Sequence, residues 1–116
     1  MAYGQDLAAR VRAALIPLDG FDEKKMFGGL CFLLHGNMAC GLVRDLLIVR
    51  VGPERYAAAL AEPHAAPFDL TGRPMTGWVQ ASPAGLQSEA ELSAWLQKGV
   101  DFARSLPPKV AGGKKK

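Results

Sequence analysis

The side chains most able to do chemistry in this chain are two cysteines and two histidines. Their number equals the ligand set of a structural zinc site, but Cys31 and Cys40 stand far outside a Cys-x-x-Cys spacing, and His64 sits in another segment. The plain reading is two small thiols acting as buried hydrophobes in a reducing compartment, free of metal. His35 lies beside a turn, and no Ser, Cys, Asp or Glu near it in sequence makes a nucleophile pair. Gly28-Gly29 would let a phosphate approach the backbone, yet no helix start follows and no Lys-Ser or Lys-Thr completes a P-loop, so a bulge or close packing is the reading. Trp78 and Trp95 could stack a ligand; helical spacing makes Trp95 a core residue first and leaves Trp78 open. No catalytic, cofactor-binding or metal-binding residue emerges. The expectation is a protein that is not an enzyme and carries no cofactor.

The elements that hold these residues are organised around 26–51, where apolar and β-branched runs of strand length are broken at His35-Gly36-Asn37-Met38 and at Val43-Arg44-Asp45-Leu46. That is the pattern of a three-stranded meander with two tight turns. With Gly36-Asn37 and Arg44-Asp45 as two-residue loops, Leu33 falls opposite Cys40, Cys40 opposite Val49, and Phe32 opposite Gly41, itself opposite Ile48. One face then carries Cys31, Leu33, His35, Met38, Cys40, Leu42, Leu47, Val49 and Val51. The other carries Leu30, Phe32, Leu34, Ala39, Gly41, Val43, Leu46, Ile48 and Arg50. Cys31 and Cys40 share a face but only diagonally, about 7 to 8 Å apart at Cα, which is long for a disulfide. Gly36 suits a type II′ turn, whereas Arg44-Asp45 lacks a glycine and would also fit a longer loop. Both faces are apolar, so both must be covered, one by the chain's own helices and the other by something else.

Length and charge set the frame. A chain of 116 residues holds one domain, which buries roughly two-thirds of its unfolded surface. Its 49% hydrophobic and 22% charged residues are ordinary for a globular protein. Three of the 14 Lys and Arg are Lys114, Lys115 and Lys116, so 1–113 holds 11 basic side chains against 11 acidic ones. The net charge of +3 therefore belongs to the tail. The absence of a long apolar run or a signal-like start leads to an expected cytoplasmic address and no membrane.

Around the meander, Leu7, Ala8, Val11, Ala14 and Leu15 recur at helical spacing, predicting a helix over 5–16 that Pro17 ends. Asp19-Gly20 makes a turn, and Asp22-Glu23-Lys24-Lys25 reads as a charged lead-in to the sheet. Pro53 and Glu54 favour a short helix through 56–61. Two short strands are expected within 67–80 around Thr71-Gly72. Ser88 and Glu91 form a capping box, and Leu92, Trp95, Leu96, Gly99, Phe102, Ala103 and Leu106 give the stripe of a long helix stopped by Pro107-Pro108. The expected fold is α+β, an antiparallel sheet with helices in the order α-β-β-β-α-β-β-α. Its domain covers 1–108, with a flexible basic tail over 109–116.

Met26-Phe27-Gly28-Gly29, Gly36 with Met38 two later, the alternating Val-Arg-Val at the end of the third strand, Pro67-Phe68, Gly72-Arg73-Pro74-Met75, and Leu92 three before Trp95 together resemble the N-terminal domain of the TfoX/Sxy regulators of natural competence. The similarity spans 24–106, and Met-Phe-Gly-Gly is its most specific part. The resemblance implies an α+β sandwich with an antiparallel sheet. The full regulators continue into a second, helical domain, for which this chain has Gly-Gly-Lys-Lys-Lys instead, so DNA contacts of that domain do not carry over. The first strand has Cys31, Phe32 and Leu33 where a tyrosine is often found. The family lends no catalytic residues.

The functional expectation is a small regulatory or protein-binding domain, its partner a protein or a second copy docked on an apolar sheet face. The alternative is a weak nucleic-acid-associated protein that uses Lys114, Lys115 and Lys116.

Overall fold

The computed structural model describes residues 5–26, 29–68 and 76–107. Its helices are α1 (Gln5–Leu15), α2 (Tyr56–Leu60) and α3 (Glu89–Ser105). Its strands are β1 (Phe21–Met26), β2 (Gly29–Leu34), β3 (Asn37–Val43), β4 (Leu46–Arg50), β5 (Ala65–Pro67) and β6 (Trp78–Ala81). They form one sheet in the order β1-β2-β3-β4-β6-β5, with every neighbouring pair antiparallel. The α+β class and the antiparallel sheet are those expected from sequence.

The element order gains a strand, because the charged lead-in at Asp22-Glu23-Lys24-Lys25 is the body of β1 and pairs along its whole length with β2, Phe21 opposite Leu34 through Met26 opposite Gly29. An edge strand lies half in water, so charges along it break no burial rule. Glu23 faces the helices and takes a bidentate pair from Arg12 of α1, at 2.7 and 2.8 Å, while Phe21 stacks on Phe32 with ring centroids 6.2 Å apart.

The β3–β4 register is as expected, with Cys40 opposite Val49, Gly41 opposite Ile48, and Arg44-Asp45 as a two-residue loop between Val43 and Leu46. The β2–β3 register is not. The turn residues are His35-Gly36, at φ 51 and 84, which is the double positive φ of a type I′ turn and not a II′ turn at Gly36-Asn37. Past Leu33 opposite Met38 the ladder slips, Phe32 pairing with Cys40, so Ala39 is an extra residue in β3. This bulge exchanges the two faces of β3 in mid-strand. Leu30, Phe32, Leu34, Cys40, Leu42, Leu47 and Val49 share one core with Val79 and Ala81, while Cys31 falls on the other side. The expected diagonal placement of the two cysteines on one face is therefore wrong. They project to opposite faces, which rules out a bond between them without backbone movement; both are free thiols.

All three helices feed that single core, through Ala8, Val11 and Leu15 of α1, Ala59 of α2, and Leu92, Trp95, Leu96, Val100 and Ala103 of α3. The capping box of α3 is formed, the Glu91 amide donating to Ser88 Oγ and the Ser88 amide to Glu91 Oε1, each at 3.0 Å. Gly99 sits over the bulge, where a Cβ would run into the Ala39 carbonyl oxygen and stand 3.3 Å from Val49 Cγ1. The missing side chain lets helix and sheet approach at the one place where the strand bulges.

Of the two later strands, β5 begins earlier than expected, at Ala65, and Phe68 lies just beyond it, its amide donating to the Trp78 carbonyl at 3.3 Å. Thr71-Gly72 lies outside the described residues.

Candidate interaction surface

With the helices gathered on one side, the opposite face of the sheet is built from what alternation leaves: Asp22 and Lys24 of β1, Cys31 and Leu33 of β2, Met38, Gly41 and Val43 of β3, Leu46, Ile48 and Arg50 of β4, and Trp78 and Gln80 of β6. Its middle is apolar and its rim is charged. Ile48 and Cys31 are 1% and 5% exposed, whereas Leu33, Met38, Val43, Leu46 and Trp78 are half-buried. Met38 leans over Gly41, its methyl 2.9 Å from where a Cβ would stand, and so closes the gap between β2 and β4. No described helix packs across this face.

At one end, the Arg50 guanidinium lies 5.3 Å from the Trp78 ring centroid and 5.1 Å from that of Phe102. A planar guanidinium in this position is attracted by both aromatic rings. Sequence alone left Trp78 open and did not connect it with Arg50 or Phe102. The cross-strand pairing of Arg50 with Trp78 would have revealed the first link once β6 was placed beside β4.

Behind Phe102 an open cleft of about 270 Å³ is lined by Val51, Gly52, Pro53, Glu54, Arg55, Asp101, Phe102 and Ser105. Arg55 and Asp101 face each other across it at 3.7 Å. The cleft is small and shallow beside a typical ligand site.

The motif residues scatter. Met26 ends β1, Gly29 opens β2 with no room for a Cβ against the Leu42 carbonyl oxygen, and Gly36 makes the type I′ turn. Met38 is on the open face, Pro67 ends β5 and is exposed, and Phe68 follows half-buried. Trp95 is 5% exposed in the core, as its helical spacing required, with Lys98 Nζ 5.6 Å from its ring. Phe27, Gly28, Met75, Lys114, Lys115 and Lys116 lie outside the described residues. These positions do not converge on one pocket. Gly36 serves a turn, Gly29 close packing and Trp95 the core, whereas Met38 lies on the open face and Pro67 at an exposed strand end.

The thiols and imidazoles also stay apart. Burial pushes the Cys31 thiol above its ordinary pKa, and it pushes Cys40 far higher, with the nearby Cys31 adding to the effect. Such thiols are poor nucleophiles. His35 Nε2 is 3.4 Å from Asp19 at the surface, and His64 is exposed beside Gly85. Among the described residues no three His, Cys, Asp or Glu side chains gather as a metal site, and no helix is long and apolar enough to cross a membrane.

The family model of the TfoX N-terminal domain matches residues 13–103. No curated protein and no solved structure matches the chain.

Proposed function

Because the chain belongs to the TfoX N-terminal domain family, we propose that it is a non-catalytic regulatory module that works in the cytoplasm by docking a protein partner on the open face of its sheet. One observation supports the reading most directly: Leu33 and Met38 at one end and Val43 and Leu46 at the other, with the buried Cys31 and Ile48 between them, make the side away from the three helices apolar and half-buried. Trp78 and Arg50, held against each other at its end, are the side-chain types that dominate interface energetics. A partner that covers this side and meets Arg50 with a carboxylate would have the apolar centre and polar rim of a specific interface.

The test compares wild type with Leu33→Asp and Leu46→Asp, each checked for wild-type thermal stability, in cross-linking followed by mass spectrometry in cells. The reading expects one protein cross-linked to this face in wild type and lost from both folded variants. A partner retained by both folded variants, or cross-links mapping only to the helical side, would overturn it.

A further inference from the structure

Independently of that face, β1 carries a second feature. It is the terminal strand of the sheet, it pairs with β2 over six residues without a break, and no described strand lies beyond it. Its hydrogen-bonding phase follows from the His35 amide, which donates to the Gly20 carbonyl at 2.9 Å. Gly20 and His35 are thus a hydrogen-bonded pair, and bonding alternates along an antiparallel ladder. Asp22, Lys24 and Met26 then direct their main-chain groups toward β2, while Phe21, Glu23 and Lys25 direct theirs outward. That leaves a row of outward N–H and C=O groups in which the Glu23 amide donates to the Asp22 carboxylate at 2.8 Å, a local bond that pairing with a second strand would exchange for a ladder bond while freeing Asp22.

An edge of this kind is often blunted by charged side chains, which oppose pairing where like charges would meet. Here the signs are ordered, Asp22 and Glu23 before Lys24 and Lys25. We propose that β1 pairs antiparallel with β1 of a second copy of this chain, with Glu23 on the two-fold axis. Rotation about an axis normal to the sheet allows only registers in which residues of the same face meet. With Asp22 on the axis, two aspartates meet on the open face. With Lys24 there, two lysines meet without a counter-charge. With Glu23 on the axis, Asp22 of each copy stands opposite Lys24 of the other, in the narrow pairs where Cα atoms are about 4.5 Å apart. The two Glu23 carboxylates that meet on the helix side are each already neutralised by the bidentate Arg12. This register also matches the outward phase, since Phe21 meets Lys25 and Glu23 meets Glu23 as hydrogen-bonded pairs. The product is one sheet running through both copies, with all helices on the same side and both open faces free for another partner.

Sedimentation velocity at about 100 μM chain is expected to give about twice the 12.4 kDa chain mass. Asp22→Lys and Lys24→Asp should each weaken the dimer about tenfold or more by placing like charges opposite one another twice, and the double exchange should restore it. Lys25→Pro removes an outward amide without taking a bond from β2 and should give monomer. Amide hydrogen exchange needs no variant: protection at Glu23 and Lys25 should fall on dilution of the wild-type protein. A monomeric wild type, protection independent of concentration, folded single variants that dimerise normally, or a folded double variant that does not recover would each overturn the proposal. So would a dimer insensitive to these changes and dissolved by Leu46→Asp, which would be joined through the open face.

Discussion

Replacing Gly99 by Ala should destabilise the protein, against the helical preference of the two residues. In the interior of α3, alanine alone would gain about 1 kcal/mol. The new Cβ would meet the Ala39 carbonyl oxygen directly, with the carbonyl carbon at 3.0 Å and Val49 Cγ1 at 3.3 Å. None of these can yield cheaply, since two are strand backbone and Val49 is fully buried. The helix must rise instead, opening a gap under Trp95, Leu96, Val100 and Ala103, and a gap of 0.5 to 1 Å already forfeits roughly a quarter to a half of the contact energy of the atoms that face it. Overpacking of this kind costs about 3 kcal/mol at the upper end, leaving a net loss of about 2 kcal/mol. At about 4 °C per kcal/mol, the melting temperature should fall by about 8 °C. Ser93→Ala, at an exposed position of the same helix, serves as the propensity control and should be neutral or slightly stabilising. Urea unfolding monitored by Trp fluorescence gives both free energies. A Gly99→Ala protein as stable as wild type would refute the reasoning, because it would mean that α3 does not rest on the bulge.

Trp95→Ala should cost about 3 to 5 kcal/mol in the same urea assay, as expected for a large side chain removed from the core; a loss under about 1 kcal/mol would place the ring at the surface. In the native protein both thiols should resist a thiol reagent at neutral pH, with Cys31 modified before Cys40, and two groups should react at once in denaturant; stoichiometric zinc in the purified protein would contradict this. The Arg12 guanidinium holds the Glu23 carboxyl below its ordinary pKa. Its contribution is therefore complete above the unfolded value of about 4.3 and is lost as pH falls through the folded value. Glu23→Gln should flatten the acid limb of a stability–pH curve below about pH 5, and an unchanged limb would deny the pair a role.

The chain announced what depends on local chemistry. The capping box at Ser88 and Glu91, the apolar stripe of α3 and the register across Arg44-Asp45 were all readable, because each rests on residue types at fixed offsets. Phe21-Asp22-Glu23-Lys24-Lys25-Met26 was not readable as a strand, since alternation marks a face in contact with a core and this edge offers only Phe21 and Glu23 to one. The bulge at Ala39 left no glycine or proline to betray it; its trace is Gly99, far away in sequence, and the link between them exists only after folding. One undetected residue was enough to move Cys31 to the wrong side. The sandwich of Arg50 between Trp78 and Phe102 was hidden for the same reason, being assembled from three elements.

The buried Asn37 side chain, 2% exposed, donates from Nδ2 to the Pro107 carbonyl at 2.9 Å. Asn37 opens β3, a central strand, so the backbone just past α3 is moored to that strand's end, beside the β2–β3 turn. Mechanically this gives tension applied at Pro107 two routes, one into the β2–β3 end of the sheet through Asn37 and one into the last turn of α3 through the Leu106 amide on the Ala103 carbonyl. Asn37→Ala would leave that load to the end of α3, turning a stiff mounting into a compliant one.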